Sequence, residues 1–202
     1  MLTVEGGKYE MGQRDTSLGG TGFSKDECPH NVQVSTFRMG KYEVTQADWQ
    51  EVMGENPSHH TDCPDCPVEN VSWNDVQAFI KKANDKYRMN YRLPTEEEWE
   101  YAARGGTRSK GYLYAGSNTL YNVATFSGET HPVGSSKANE LGLYDMSGNV
   151  YEWCADIYKP YPGCAGETHD TRRVLRGGSW RDAPEKCRTT NRIHGATSSP
   201  VI

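Results

Sequence analysis

Three segments of the chain place apolar residues at the three- and four-residue spacing of an amphipathic helix. The first helix is predicted over residues 46–53, with Thr45 as its N-cap and Gly54 at its end. The second is predicted over residues 75–87, capped by Ser72 or Asn74. Its apolar face would consist of Val76, Phe79, Ile80 and Ala83.

The third helix, predicted over residues 96–103, has the clearest start signal. Thr95 and Glu98 have the spacing of a capping box, and Gly105-Gly106 follows the helix. The acidic run Glu96-Glu97-Glu98 suits the positive end of a helix dipole. Because three consecutive residues do not share one helix face, we interpret the run as a helix start rather than as a catalytic cluster.

Short apolar alternations elsewhere predict strands, and stretches rich in Gly, Pro and Asn predict loops. Strands are predicted within residues 1–12, 31–44, 173–180 and 187–193, and Val150, Tyr151 and Trp153 predict the start of another, buried strand. Loops are predicted over residues 13–30, 56–67, 107–141 and 154–172, and the first of them should be exposed.

The composition fits one domain over residues 1–202. Only 35% of the residues are apolar, but the chain has 21 Gly, 5 Trp and 12 Tyr, so aromatic side chains should anchor irregular loops. The net charge is -5 and no basic stripe is visible, which argues against a nucleic-acid partner. No apolar run approaches the ~20 residues of a membrane span.

The stretch from Gly142 to Trp153 combines two carboxylates with a glycine turn. Asp145 and Glu152 are oxygen donors, and the turn at Ser147-Gly148-Asn149 can direct backbone carbonyls inward. Ca²⁺ takes six to eight oxygen ligands, carbonyls included, so this stretch could wrap one ion. The alternative is a β-turn with a solvated Asp and a Glu that pairs with an Arg.

Further motifs lie in order along the chain. They are Gly6-Gly7-Lys8-Tyr9-Glu10-Met11-Gly12, Tyr42-Glu43-Val44-Thr45, Pro67-Val68-Glu69-Asn70-Val71-Ser72-Trp73, Arg92-Leu93-Pro94-Thr95 with the helix after it, and Arg173-Val174-Leu175-Arg176-Gly177-Gly178-Ser179-Trp180. Together with the 142–153 stretch they resemble the formylglycine-generating enzyme (sulfatase-modifying factor) family. The resemblance covers nearly the whole chain. It implies an α+β, C-type-lectin-like fold that is loop-rich, with few short helices and a small antiparallel sheet.

The resemblance also implies structural calcium. Asp145 and Glu152 would bind by side chains, and Gly148 and Val150 by carbonyls. A first family site would involve Asn122, with Glu129 as the nearest acid to complete it. We expect the site at 145–152 rather than the one at Asn122.

The catalytic members of the family bind Cu(I) through two cysteines, three and eight residues after the Ser of Gly-Gly-Ser. Cu(I) is a soft ion that favours thiolates. Here those positions hold Asp182 and Cys187, and Ser179 matches the Ser beside the pair. One thiolate with one carboxylate does not make that site, so copper is not expected and a non-catalytic role is favoured. The alternative is an oxidase that converts a substrate-protein cysteine to formylglycine, through Cys187 and Ser179.

Variable proteins of diversity-generating retroelements use the same scaffold for binding. In them the segment after Gly-Gly-Ser-Trp lines the ligand face, which here corresponds to residues 181–202. Aromatic residues at its edge would give rigid contacts, as in paratopes. The candidate ligand-binding residues are Tyr151, Trp180, Arg181, Asp182, Glu185, Thr189, Asn191, His194, Thr197 and Ser198. An inert scaffold domain without an exposed site is a third hypothesis.

Six cysteines permit disulfides in 15 pairings. Cys63-Pro64-Asp65-Cys66 could be a loop staple, free thiols, part of a metal knot with His59 and His60, or a redox pair.

The scattered histidines are expected at surface or structural positions. An iron-dependent branch of the family needs an additional helical domain with histidine ligands, which this sequence does not contain. We expect a monomer in an extracytoplasmic setting. The family usually continues with Gly-Phe-Arg and a closing strand, which are absent before Ile202.

Overall fold

The computed structural model describes residues 1–13, 26–124, 128–166 and 168–201. Seven strands and three α-helices alternate with long loops in these ranges. The strands are β1 (Leu2–Val4), β2 (Gly7–Met11), β3 (His30–Val34), β4 (Phe37–Met39), β5 (Glu152–Tyr158), β6 (His169–Arg176) and β7 (Ile193–Ala196). The helices are α1 (Gln46–Met53), α2 (Trp73–Tyr87) and α3 (Glu96–Ala103).

The strands form three small antiparallel sheets. β1 pairs with β4, β2 pairs with β3, and β5, β6 and β7 form a three-stranded sheet in that order. The helices contain 8, 15 and 8 residues, well below a third of the chain. The predicted loop-rich α+β fold with few short helices is confirmed.

Each α-helix begins with a complete capping box. Thr45 pairs with Asp48, Ser72 with Asp75, and Thr95 with Glu98, the side chain of each residue bonding the backbone N–H of the other. The predicted starts of α1 and α3 are confirmed. α2 begins at Trp73, two residues before the predicted start, because Ser72 is the cap and not Asn74.

The main core lies between α3 and the sheets. Trp99, Ala102 and Ala103 are fully buried on α3 and pack with Val4 of β1 and Val174 of β6. A smaller cluster joins α1 to α2, where the rings of Trp49 and Phe79 stack with their centroids 4.8 Å apart. Burying aromatic rings of this size supplies much of the hydrophobic stabilisation that a loop-rich chain obtains.

Several boundaries predicted in the carboxy-terminal half are wrong. β5 extends to residue 158, into the loop predicted over residues 154–172, and β6 begins inside that loop at residue 169. Residues 187–192 are buried but do not form a strand, since β7 begins at Ile193.

The predicted exposure of the 13–30 loop is wrong at Asp26 and Glu27. Both are buried, because arginines pair with both. Residues 14–25 of that predicted loop lie outside the described ranges.

Two disulfides are present, one between Cys28 and Cys164 and one between Cys63 and Cys66. The short C-x-x-C segment is therefore oxidised and does not hold a metal through thiolates in this state. Cys154 and Cys187 are free and buried. No helix in the described ranges is long and apolar enough to cross a membrane.

Candidate functional site

The turn after β6 is held by one carboxylate. Gly177 and Gly178 adopt left-handed φ angles of 93° and 75°, which glycine reaches without a steric cost. Asp182 accepts a hydrogen bond from the backbone N–H of Ser179 at 3.0 Å and another from the Ser179 hydroxyl. Asp182 occupies the position at which the family resemblance implies the first copper thiolate. Its carboxylate closes the turn instead.

Cys187 is isolated from other thiols. Its side chain is completely buried, and Sγ lies 4.0 Å from the carbonyl of Ser179. Burial, then the nearby charges of Asp182 and Glu185, raises the pKa of Cys187 to about 12, so the thiol stays protonated at neutral pH. Cys154 belongs to a different core cluster. A neutral, single thiol is a poor ligand for Cu(I).

The predicted ligand face is only partly assembled at this turn. Tyr151 hydrogen-bonds Asp182, and burial together with that carboxylate raises the pKa of its phenol. Trp180 is half-buried beside them, and its backbone N–H donates to the carbonyl of Asn149 at 2.9 Å. Arg181 and Glu185 are exposed. Tyr151 and Asp182 are thus in contact, and Trp180, Arg181 and Glu185 belong to the same 180–187 segment; these five residues are called the patch below.

The other predicted ligand residues lie apart from this patch. His194 is on β7, where its ring contacts Tyr158 edge-on at 4.5 Å. Thr197 and Ser198 follow β7, and the carbonyl of Thr197 accepts from the N–H of Asn74 at 3.0 Å. Thr189 and Asn191 are 1% and 3% exposed, so they do not belong to an exposed face. Their backbone carbonyls instead accept hydrogen bonds from Arg176.

Asp145 and Glu152 lie close to a third carboxylate that the sequence did not single out. Glu43, between β4 and α1, accepts from the side chain of Asn149 at 2.6 Å and from the N–H of Val150 at 3.2 Å. Asp145 Oδ2 accepts from the N–H of Gly134 at 2.6 Å. In the sequence, Glu43 was visible only as part of the Tyr42-Glu43-Val44-Thr45 motif, which indicated no role for its side chain.

The three carboxyls repel one another electrostatically. Burial raises the pKa of Glu152 to about 7. The hydrogen bond from the Trp99 indole opposes this shift, and the charge of Asp145 adds to it. Burial, then Asp145 and Glu152, raises the pKa of Glu43 well above its usual range. Burial is also the main cause that raises the pKa of Asp145. None of the ion pairs within the described ranges joins these acids to a Lys or Arg.

Asp145 and Glu152 carry the oxygen donors that a hard cation prefers. Asp145 Oδ1 is buried and has no hydrogen-bond partner, which is costly unless a positive charge satisfies it. Gly148 and Val150 lie in the turn between the two predicted ligands, and the N–H of Gly148 donates to the carbonyl of Gly177 at 2.9 Å. In the described part of the chain, however, no three His, Cys, Asp or Glu side chains converge closely enough to bind one ion.

The candidate first calcium site has a different character. Asn122 is exposed in a short 3-10 turn, and its side-chain amide donates to Ser117 Oγ at 3.3 Å. Glu129 is exposed as well, and residues 125–127 between them lie outside the described ranges. Neither side chain has the burial that makes the 145–152 carboxylates attractive to a cation.

A cavity of about 500 Å³ lies next to the carboxylates. Its walls are mostly apolar side chains of α1, α2 and the start of β5, including Trp49, Phe79 and Trp153. Glu43, Tyr151 and Glu152 also line it, so one side of the cavity is polar. A volume of this size is within the range of small-molecule sites.

Comparison with known proteins identifies a family. The model of the Sulfatase-modifying factor enzyme 1-like domain matches residues 1–201. The Chaperone protein LppX of Paenibacillus barcinonensis is 35% identical over 89% of this chain and 78% of its own length. The solved structure of Treponema denticola variable protein 1 has a TM-score of 0.86 at 29% identity, covering 99% of this chain and 90% of that one.

Catalytic and inactive relatives are similarly close. The formylglycine-generating enzyme of Streptomyces coelicolor is 36% identical over 68% of this chain and 49% of its own length. The Inactive C-alpha-formylglycine-generating enzyme 2 of Mus musculus is 35% identical over 77% of this chain and 52% of its length. The chain thus spans about half of these two relatives, and overall identity does not separate the two functions.

Proposed function

This chain belongs to the Sulfatase-modifying factor enzyme 1-like domain family, and we propose that it uses the family scaffold to bind a ligand without catalysis. The observation that carries the proposal is the turn at Ser179–Asp182. Asp182 closes that turn by hydrogen bonds where a copper thiolate would be needed, and Cys187 is buried and protonated. The structural similarity to a variable protein supports a binding role.

The proposed ligand face is the patch of Tyr151, Trp180, Arg181, Asp182 and Glu185. Tyr and Trp offer large contact areas at a low entropic cost, and the exposed charges of Arg181 and Glu185 add polar specificity. The hydrogen-bonded turn beneath the patch holds these side chains in place before a ligand arrives. Such preorganisation lowers the entropic cost of binding.

A structural Ca²⁺ ion belongs to the proposal. Asp145 and Glu152 would hold it by their side chains, with carbonyls of Gly148 and Val150 from the turn, and Glu43 would add negative charge nearby without being a ligand. The mutual repulsion of the acids and the unsatisfied Asp145 Oδ1 support it. The ion would offset the buried negative charge and attach the loop before residue 145 to β5. The disulfides favour an oxidising, extracytoplasmic setting.

The first experiment tests the absence of catalysis. The protein is incubated with Cu(I), oxygen and a peptide that contains C-x-P-x-R, and aldehyde formation is followed by mass spectrometry. We expect no conversion above the protein-free background. Conversion at a rate comparable to that of a formylglycine-generating enzyme measured in parallel would contradict the proposal.

The second experiment tests the face. Labelled protein is applied to peptide and glycan arrays, and hits are measured with the variant Tyr151→Ala/Arg181→Ala/Glu185→Ala. Because contacts at the centre of an interface dominate affinity, we expect binding to weaken by about tenfold or more. The matched control Lys81→Ala/Lys82→Ala changes exposed charges on α2 and should bind like the wild type. Equal binding by all three proteins, or no hit, would refute this face.

A further inference from the structure

The Cys63–Cys66 disulfide lies in a tight turn and its two residues are unequally exposed. The bond joins residues three positions apart, and the N–H of Cys66 donates to the carbonyl of Cys63 at 3.0 Å. Cys63 is half-buried, between the exposed residues Asp62 and Pro64, whereas Cys66 is 2% exposed. Cys63 is therefore the residue of the pair that offers an external thiol the better approach.

This bond contributes less as a covalent staple than the other disulfide does. A disulfide stabilises mainly by restricting the unfolded chain, and the effect grows with the length of the closed loop. Cys63–Cys66 closes a loop with a sequence separation of 3, against 136 for Cys28–Cys164. The proximity of the two cysteines is largely imposed by the sequence and does not need the bond.

Hydrogen bonds anchor the same segment independently of the sulfurs. The carbonyls of Cys66 and Pro64 accept from the N–H groups of Gln46 and Ala47 at 2.9 and 3.0 Å, at the start of α1. The carbonyl of Asp65 accepts from the N–H of Val133 at 2.9 Å. Opening the disulfide would leave these bonds in place, so the turn can be reduced without losing its backbone structure.

The preceding loop is fixed in the same way. The buried carboxylate of Glu69 accepts from the backbone N–H groups of His59 and His60, and from His59 Nδ1 at 2.9 Å. The side chain of Gln46 donates to the carbonyl of His60 at 2.9 Å. The surroundings of Cys63 are thus held by hydrogen bonds that do not involve either sulfur.

We propose that Cys63 and Cys66 form a reversible thiol–disulfide exchange site, whose substrate is a pair of cysteine thiols in a polypeptide. A substrate thiolate attacks Cys63 Sγ, the Cys63–Cys66 bond breaks, and Cys66 leaves as a thiolate that takes up a proton. The second substrate thiolate then attacks the substrate sulfur of the mixed disulfide, and Cys63 leaves and is protonated. Two electrons pass to the pair, and the substrate gains a disulfide. A low-molecular-weight disulfide such as oxidised glutathione restores the pair.

The first test uses the asymmetry of the two sulfurs. Native Cys66→Ser and Cys63→Ser variants are incubated with oxidised glutathione, and mixed disulfides are located by peptide mass spectrometry. We expect glutathione on Cys63 of the first variant at a rate about tenfold or more above that on Cys66 of the second, because access governs the attack. Equal trapping, or none on either cysteine, would overturn the proposal.

The second test measures exchange by the intact chain. Refolding of a reduced, disulfide-containing model protein is followed in a glutathione buffer with wild type, Cys63→Ser/Cys66→Ser, and Cys28→Ser/Cys164→Ser as the control pair. We expect wild type and the control variant to accelerate disulfide formation several-fold, and Cys63→Ser/Cys66→Ser to have no effect.

Circular dichroism establishes the folded state of each variant. If a variant fails to fold, the redox state of the Cys63–Cys66 pair is measured in the native wild type instead. The method is quenched alkylation in buffers of graded glutathione potential. A Cys63–Cys66 pair that stays oxidised until the chain unfolds would overturn the proposal.

Discussion

Arg176 illustrates how a single residue organises the carboxy-terminal half. The side chain is completely buried and donates to Glu100 at 2.5 Å and to the backbone carbonyls of Thr189, Thr190 and Asn191. Through these bonds the arginine fixes the irregular segment after Cys187 against α3. Breaking a buried pair is far costlier than breaking an exposed one, because it leaves an uncompensated charge.

Replacing Arg176 should therefore lower the stability of the folded protein strongly. We expect Arg176→Met to lower the free energy of unfolding by about 3–5 kcal/mol in urea titrations, since three buried carbonyls lose their donor and Glu100 keeps only Arg104 as a charge partner. The control is Arg92→Met, because Arg92 pairs with Glu98 at the surface and should cost no more than about 1 kcal/mol. The double variant Arg176→Met/Glu100→Met should recover part of the loss. Similar costs for Arg176→Met and Arg92→Met would contradict this prediction.

Glu152 should make stability depend on pH when no metal is present. Its pKa is raised from 4.5 to about 7, so between these values the folded state binds more protons than the unfolded state. The stabilising protonated form is fully present at low pH and is lost as the pH rises through about 7. In chelator, stability should fall by up to about 3 kcal/mol from pH 4.5 to 7, at about 1.4 kcal/mol per pKa unit.

The measurement is the free energy of unfolding in urea at several pH values, with chelator. Glu152→Gln keeps an acceptor for the Trp99 indole but cannot titrate, so its pH profile should be flatter than that of the wild type. Parallel profiles for the two proteins would show that Glu152 titrates normally. Excess Ca²⁺ should also flatten the wild-type profile, because the ion favours the charged carboxylate.

At the scale of elements, the turn before β5 connects the carboxylates to the β5–β6–β7 sheet. Glu152 is the first residue of β5 and pairs with Arg176 in the strand register. Asp145, seven residues earlier, has a left-handed φ of 58°. Non-glycine residues in that region are uncommon and mostly Asn or Asp, which matches a polar side chain committed to a local site.

Calcium should stabilise this element and so the whole fold. Binding only to the folded state contributes about 2.7 kcal/mol at a hundredfold excess over Kd, which would raise the melting temperature by several degrees. Thermal melting is compared in excess calcium and excess chelator for wild type and Glu152→Ala, with exposed Glu55→Ala as the control. We expect the calcium shift in wild type and the control, and its loss in Glu152→Ala.

Two results would change this interpretation. If verified metal removal leaves the wild-type melt unchanged, Asp145 and Glu152 have hydrogen-bonding roles only. If Glu152→Ala retains the full shift, the ion lies elsewhere, with Asn122 as the next candidate.

At the scale of the whole molecule, the two disulfides have unequal structural roles. Cys28–Cys164 connects the segment before β3 to the loop after β5 across a sequence separation of 136. From chain entropy, Cys28→Ser/Cys164→Ser should lower the free energy of unfolding by about 5 kcal/mol, and Cys63→Ser/Cys66→Ser by about 2 kcal/mol. Urea denaturation without reductant measures both. Equal losses would contradict the assignment of Cys28–Cys164 as the main staple.

The sequence by itself determined the family, the loop-rich fold and the three helices. The helix starts were predictable because a capping box is local: Thr45 and Asp48, or Thr95 and Glu98, need only the three-residue spacing that the sequence displays. The motifs likewise placed Asp182 at a copper-ligand position before any geometry was known.

Only the tertiary structure decided the strand boundaries and the buried charges. The pairing of β5 with β6 contains register shifts. The bounds of a strand depend on where its partner strand lies, and no local sequence pattern encodes that position. The acidic run at the start of α3 was interpreted only as a helix start, yet Glu96 is also 5% exposed and pairs with Arg192, 96 residues away. Glu43 reaches Asn149 across 106 residues. A buried charge is stable only beside a partner, and the fold alone supplies partners from such distances.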